Sequence, residues 1–80
     1  MNEHVEKIIA YMLIRVNLGK EYDVLEQITR LPNIKEARVV YGEYDIIVEI
    51  HVSNLRELDK IVTSIRRLPG VITSTTLISS

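Results

Sequence analysis

The fold is decided by the stretch Ile34-Lys35-Glu36-Ala37-Arg38-Val39-Val40-Tyr41-Gly42-Glu43-Tyr44-Asp45-Ile46-Ile47-Val48-Glu49-Ile50-His51-Val52, two β-branched runs joined by a glycine-led link. Such runs suit pleated strands, and a short glycine-containing link between them predicts a β-hairpin. With Gly42 and Glu43 as the two loop residues, Gly42 takes the first central position of a type II′ turn, which requires positive φ. Tyr41 then faces Tyr44. Counting outward by twos puts Ala37, Val39, Tyr41, Tyr44, Ile46, Val48, Ile50 and Val52 on one side of the sheet. Glu36, Arg38, Val40, Asp45, Ile47, Glu49 and His51 fall on the other.

Upstream, Ile8 to Val16 is an apolar run with only Arg15 charged, a strand broken by Asn17-Leu18-Gly19. From Lys20 to Leu31 the apolar residues Val24, Leu25, Ile28 and Leu31 share one helical face, and Pro32-Asn33 ends that helix. Downstream of the hairpin, Ser53 or Asn54 caps a second helix, with Glu57 placed for a capping box behind Asn54. Its stripe is Leu55, Leu58, Ile61, Val62, Ile65 and Leu68. Arg66 and Arg67 suit its last turn, and Pro69-Gly70 stops it. Val71 to Ile78 is the last strand. A shift of 37 residues lays Ile28-Thr29-Arg30-Leu31-Pro32-Asn33-Ile34 over Ile65-Arg66-Arg67-Leu68-Pro69-Gly70-Val71, so two βαβ units run in tandem.

The order βαββαβ predicts an α+β fold, the ferredoxin-like sandwich: a four-stranded antiparallel sheet with two helices on one face and the first and third strands central. Residues 8–80 form this single domain, and residues 1–7 a frayed leader. A chain of 80 residues buries only about 60–65% of its unfolded surface, so association is expected to extend the core. One face of the sheet lacks helices. The first strand is apolar on both parities, so Ile9, Tyr11 and Leu13, with Val40 and Ile47, leave an apolar patch there. Ile72 and Ile78 join it if the last strand has the matching parity. Large patches of this kind mark interfaces, and a second copy packed sheet to sheet is the simplest cover.

The net charge of −1 without long like-charge runs lacks the footprint of a phosphate-backbone binder. With no cysteine in the chain, a disulfide framework, a Cys-ligated metal and a thiol nucleophile are excluded. The longest apolar run, Ile8 to Ile14, is far shorter than the roughly 20 residues of a membrane span. A cytoplasmic protein is expected, with no cofactor and no direct nucleic-acid or membrane partner.

The turn Tyr41-Gly42-Glu43-Tyr44-Asp45 within βαββαβ, the segment Leu68-Pro69-Gly70-Val71 before the last strand, and the hydroxyl-rich Thr73-Ser74-Thr75-Thr76-Leu77-Ile78 carry a resemblance. From Ile8 onward the chain resembles the effector-binding (RAM) domain of the Lrp/AsnC transcription regulators. Full-length members carry an N-terminal helix-turn-helix, which the short leader here cannot hold, so the resemblance is to a stand-alone form. It implies a homodimer through the sheets and assembly of dimers into rings, as dimers of dimers or octamers. It also implies an amino-acid effector held where dimers meet, and co-assembly with full-length regulators.

An amino-acid ligand needs an acceptor for its ammonium and donors for its carboxylate. Asp45, the backbone of Gly42 and Glu43, Tyr44, and the hydroxyls of Ser74 and Thr76 supply those types. Asp45 also reads as a solvated hairpin carboxylate, Gly42 as turn geometry, and Ser74 and Thr76 as ordinary strand hydroxyls. Tyr41 and Tyr44 read as core or interface packing. His4 and His51 have no partner at catalytic or metal-ligand spacing, so no metal site and no catalytic residue is expected. Two alternatives stay open: an ACT-like regulatory module, and a small dimeric ferredoxin-like enzyme with His51 in a closed pocket.

Overall fold

The computed structural model describes residues 7–79; the expected leader therefore falls, Lys7 apart, outside the described residues. The elements are β1 (Ile8–Val16), α1 (Glu21–Thr29), β2 (Ile34–Val39), β3 (Ile46–Val52), α2 (Leu55–Arg66) and β4 (Val71–Ile78). The sheet is antiparallel in the order β2-β3-β1-β4, so the two most apolar strands are central. This is the ferredoxin-like arrangement that the order of elements predicts.

The core is built by alternation. Ala10, Met12, Ile14 and Val16 of β1 and Ile46, Val48, Ile50 and Val52 of β3 point to one face, where Val24 and Ile28 of α1 and Leu58, Ile61 and Ile65 of α2 cover them. No polar or charged side chain among the described residues is buried, so core stability comes from apolar burial. The β1–β3 register, Ile8 opposite Val52 through Ile14 opposite Ile46, is regular. Both outer pairings carry one irregularity, at Ile34/Glu36 in β2 and at Arg15/Val16 opposite the start of β4.

The tandem repeat holds in detail. Ile28 and Ile65 are both fully buried, and the turn residues Asn33 and Gly70 both have positive φ, 70° and 99°. The helices differ in length. α2 starts on Asn54, whose Oδ1 accepts from Glu57 N at 2.9 Å while Glu57 Oε1 accepts from Ser53 N at 2.9 Å; of the two expected caps, Asn54 is the one used. α1 is shorter than the Lys20–Leu31 periodicity suggests. Its N-cap, Lys20, makes no side-chain cap bond, and Arg30 and Leu31 close its end with backbone bonds to Gln27 and Ile28.

Candidate functional site

The hairpin link is wider than a two-residue turn. The last rung is Val40 N to Asp45 O, 2.9 Å, which leaves Tyr41 to Tyr44 outside the ladder, with Gly42 at φ 125°. The parity count fails beyond that rung because only a laddered strand is pleated. Tyr41 is 95% exposed rather than packed in the core. Tyr44 is half-buried, and its hydroxyl lies 3.3 Å from Thr75 Oγ1, on the helix-free face rather than the core side.

Three further bonds tie the loop down. Asp45 N donates to Ile14 O at 2.8 Å, Val16 N donates to Asp45 Oδ2 at 2.8 Å, and Arg15 Nε donates to Glu43 O at 2.9 Å. Val16 lies where β1 runs past the end of β3, so its N–H has lost a ladder partner and the Asp45 carboxylate supplies one. Asp45 is thus part of the loop's fastening, with Oδ1 left over. Between the loop and the first turn of α1 lies a cleft of about 340 Å³, walled by Glu21 and Tyr22 on one side and Val39, Val40, Gly42 and Asp45 on the other. Leu18, 97% exposed, belongs to the β1–α1 link at the same end. Tyr22 is absent from the residues singled out by sequence, although its place at the start of α1, beside Lys20, is the signal that would have found it.

Gly42, Glu43, Tyr44 and Asp45 are therefore together, but Ser74 and Thr76 are not with them. They pair with Ile14 and Met12, so they share the helix-covered face and border a cleft of about 490 Å³ with Val62 and Arg66 of α2. The hydroxyl that meets the loop is Thr75. The irregularity at Arg15/Val16 sets this parity, and a run of hydroxyl residues has no hydrophobic alternation from which to read it.

On the helix-free face, Ile9, Tyr11, Leu13 and Ile47 stand side by side, all half-buried, while Val40, past the end of β2, lines the hairpin cleft. Leu77, opposite Tyr11 and 52% exposed, joins them. Ile78 does not, since it pairs with Ala10 on the core side, and Ile72 falls in the irregular stretch. Glu36 stands directly opposite Glu49, and each carboxylate is drawn to a nitrogen-bearing partner on its own strand: Glu36 to Arg38, and Glu49 Oε2 to His51 Nε2 at 2.6 Å. His51 is thus engaged on a sheet face and not in a closed pocket. Among the described residues no group of three or more His, Asp or Glu is placed to hold a metal, and no helix is long and apolar enough to cross a membrane.

Comparison with known proteins places this geometry in a family. The profile described as the Lrp/AsnC ligand binding domain matches residues 9–80. The chain is similar to the HTH-type transcriptional regulator FL11 of Pyrococcus horikoshii, 33% identical over 64 residues that make up 80% of this chain and 42% of the regulator. It spans less than half the length of that relative. A segment of homocitrate synthase from Sulfurisphaera tokodaii is 36% identical over 56 residues, 70% of this chain and 12% of the enzyme. Among solved structures, the hypothetical protein PHS023 from Pyrococcus horikoshii has 39% identity and a TM-score of 0.85, with 91% of this chain and 89% of that one covered. The transcriptional regulator NMB0573 of Neisseria meningitidis, solved as an L-Met complex, shares the fold at 10% identity and a TM-score of 0.79, over 91% of this chain and 49% of that one.

Proposed function

Because the chain belongs to the Lrp/AsnC ligand binding domain family, we propose that it is a non-enzymatic, cytoplasmic effector-sensing and oligomerisation domain that takes a small amino acid and modulates transcription regulators by co-assembly. The observation that carries this reading is the hairpin end, where a loop fastened to β1 and β4 presents a nearly fully exposed Tyr41 beside a cleft that one chain leaves open. A side chain held out on a tied-down loop suits an interface anchor, since little ordering entropy is left to lose on contact. The effector residues in this reading are Gly42, Glu43, Tyr44 and Asp45, with Asp45 Oδ1 accepting from the ammonium group. A second copy covers the helix-free face through Ile9, Tyr11, Leu13, Val40 and Ile47, and dimers meet at their hairpin ends to build a ring. The L-Met complex of the Neisseria fold neighbour supports an amino acid as the ligand class.

The test is calorimetric titration with each standard amino acid, with light scattering on the same samples. Saturable binding of one or a few with a change in mass is expected, because ligand and assembly are linked. Silence across the set with an unchanged mass overturns the effector role. Asp45→Ala is expected to weaken both binding and ligand-dependent assembly, but it also strips Val16 N–H of its acceptor. Asp45→Asn keeps an acceptor there and removes the charge. It is expected to leave the dimer intact and to weaken amino-acid binding by about tenfold, the size of a lost charge-assisted hydrogen bond. Unchanged affinity in Asp45→Asn removes this residue from the site.

A second reading, a module serving a metabolic enzyme, is favoured by the likeness to a segment of homocitrate synthase. Binding of the effector with no mixed assembly when a full-length Lrp/AsnC regulator is added would favour it.

A further inference from the structure

We propose that the cleft between α2 and β4 is a second binding site, one that takes small organic acids bearing a carboxylate and no ammonium group, held by Arg66 with Ser74 and Thr76. The construction is simple. Val62 and Arg66, one turn apart, form a ridge along the flank of α2, and Ser74 and Thr76, two apart, face it from β4. The space between them, about 490 Å³, lies within the roughly 300–1,000 Å³ of small-molecule clefts.

The polar groups here have no internal employment. The Arg66 guanidinium enters none of the ion pairs or side-chain hydrogen bonds among the described residues, and neither do the Ser74 and Thr76 hydroxyls, although both residues are half-buried. A guanidinium fork with hydroxyl donors beside it matches the two oxygens of a carboxylate. Val62, Val71 and the 58% exposed Ile72 supply an apolar wall for the rest of the ligand. Arg67 adjoins Arg66 in a neighbouring recess with Thr63. The carbonyl end of α2 opposes an anion with only about half a charge, less than the two full guanidinium charges. No Asp or Glu lines the cleft, so an ammonium group would find repulsion and no acceptor.

The hairpin cleft has the reverse character, with Glu21 and Asp45 and no Lys or Arg in its walls. The repeat supplies a second contrast. The counterparts of Arg66, Ser74 and Thr76 in the first half are Thr29, Ala37 and Val39, and there Ala37 and Val39 pack against the core. The strand side of the seam is apolar in one half and lined by hydroxyls facing a cation in the other.

The experiment is calorimetric titration of the full chain, in buffer free of phosphate and sulfate, with 4-methyl-2-oxopentanoate, leucine and leucinamide. They share one side chain and carry a carboxylate alone, both groups, or an ammonium alone. The oxo acid is expected to bind saturably, and Arg66→Gln to weaken it by at least about tenfold, while Arg66→Lys restores part of the affinity and Asp45→Asn leaves it unchanged. Leucinamide is expected to give no heat that depends on Arg66. Absence of saturable oxo-acid binding, equal binding in Arg66→Gln, or Arg66-dependent binding of leucinamide would overturn the proposal. Heat from leucine that disappears in Asp45→Asn and persists in Arg66→Gln reports the hairpin site alone, so either site can fail without the other.

Discussion

From Leu18 in the first half and Leu55 in the second, the two βαβ units run residue for residue to the same core by differently built helices. Val24 matches Ile61 and Ile28 matches Ile65, all buried, and both helices end in step, at Thr29 and Arg66. They begin out of step, at Glu21 and Leu55. Asn17 is the counterpart of the cap Asn54, but Gly19 stands where α2 has Arg56, and it adopts φ 85°. The chain therefore makes a turn, with Lys20 N bonded to Asn17 O at 3.0 Å, instead of a first helical turn. The missing turn leaves Leu18 in solvent and puts Glu21 and Tyr22 opposite the hairpin loop. Duplicated halves can keep one core and diverge at their rims, and both candidate clefts lie at rims.

The comparison is broken most severely in the core. Ile28→Ala and Ile65→Ala each remove a fully buried side chain and are expected to cost about 2–5 kcal/mol. If the halves share a single core, denaturant unfolding should stay two-state in both variants, with losses within about 1 kcal/mol of each other and an unchanged m-value. A much smaller loss for Ile28→Ala would mean that the first half is the looser one and its helix only lightly docked.

The turn residues Asn33 and Gly70 give the next effect. A Cβ on Gly70 would stand 3.1 Å from Val24 Cγ2 and 3.3 Å from Lys20 Cβ, in a backbone at φ 99°. Gly70→Ala therefore combines left-handed strain, about 1–2 kcal/mol, with overpacking, and a loss of about 2–4 kcal/mol is expected. Asn33 tolerates φ 70° with a side chain, and its Nδ2 donates to His51 O at 3.1 Å. Asn33→Gly exchanges that bond for an easier backbone, so it should change stability by under about 1 kcal/mol. Equal losses in the two variants would show that the turns differ in sequence only. Thermal unfolding of the pair measures this directly.

These contrasts also mark where the sequence was readable. The alternation of β3 marks its buried parity, the βαββαβ order of elements gives the strand order, and the second apolar parity of β1 marks the helix-free face with Ile9, Tyr11, Leu13 and Ile47. The repeat lays Asn33 over Gly70, and the structure gives both a positive φ. Four things did not follow. The parity of β4 depends on one irregular pairing at Arg15/Val16, and Thr73 to Thr76 offer no apolar marker, so Ser74 and Thr76 were grouped with the loop that Thr75 touches. Tyr41 and Tyr44 lie past the last rung, where counting by twos has no physical basis. The bond from Val16 N to Asp45 joins residues 29 apart in sequence, a tertiary contact invisible to local pattern. Arg66 looked like a helix-end cation, and its open cleft appears only when β4 is laid beside it.

The smallest expected effect tests the difference in helix starts. Asn54→Ala removes the acceptor of Glu57 N and is expected to cost about 1 kcal/mol, because the freed N–H lies at an exposed helix end where water satisfies it. Lys20→Ala removes no cap bond and should be neutral to within about 0.5 kcal/mol. Global stability alone would blur so small a contrast, so amide hydrogen exchange gives the sharper readout. In the parent chain the first-turn amides of α2 should be better protected than those of α1, and Asn54→Ala should bring them to the α1 level. If Lys20→Ala costs as much as Asn54→Ala, the first helix holds its start by an interaction other than a cap. The hairpin cleft would then owe its wall to Lys20 rather than to the turn at Gly19.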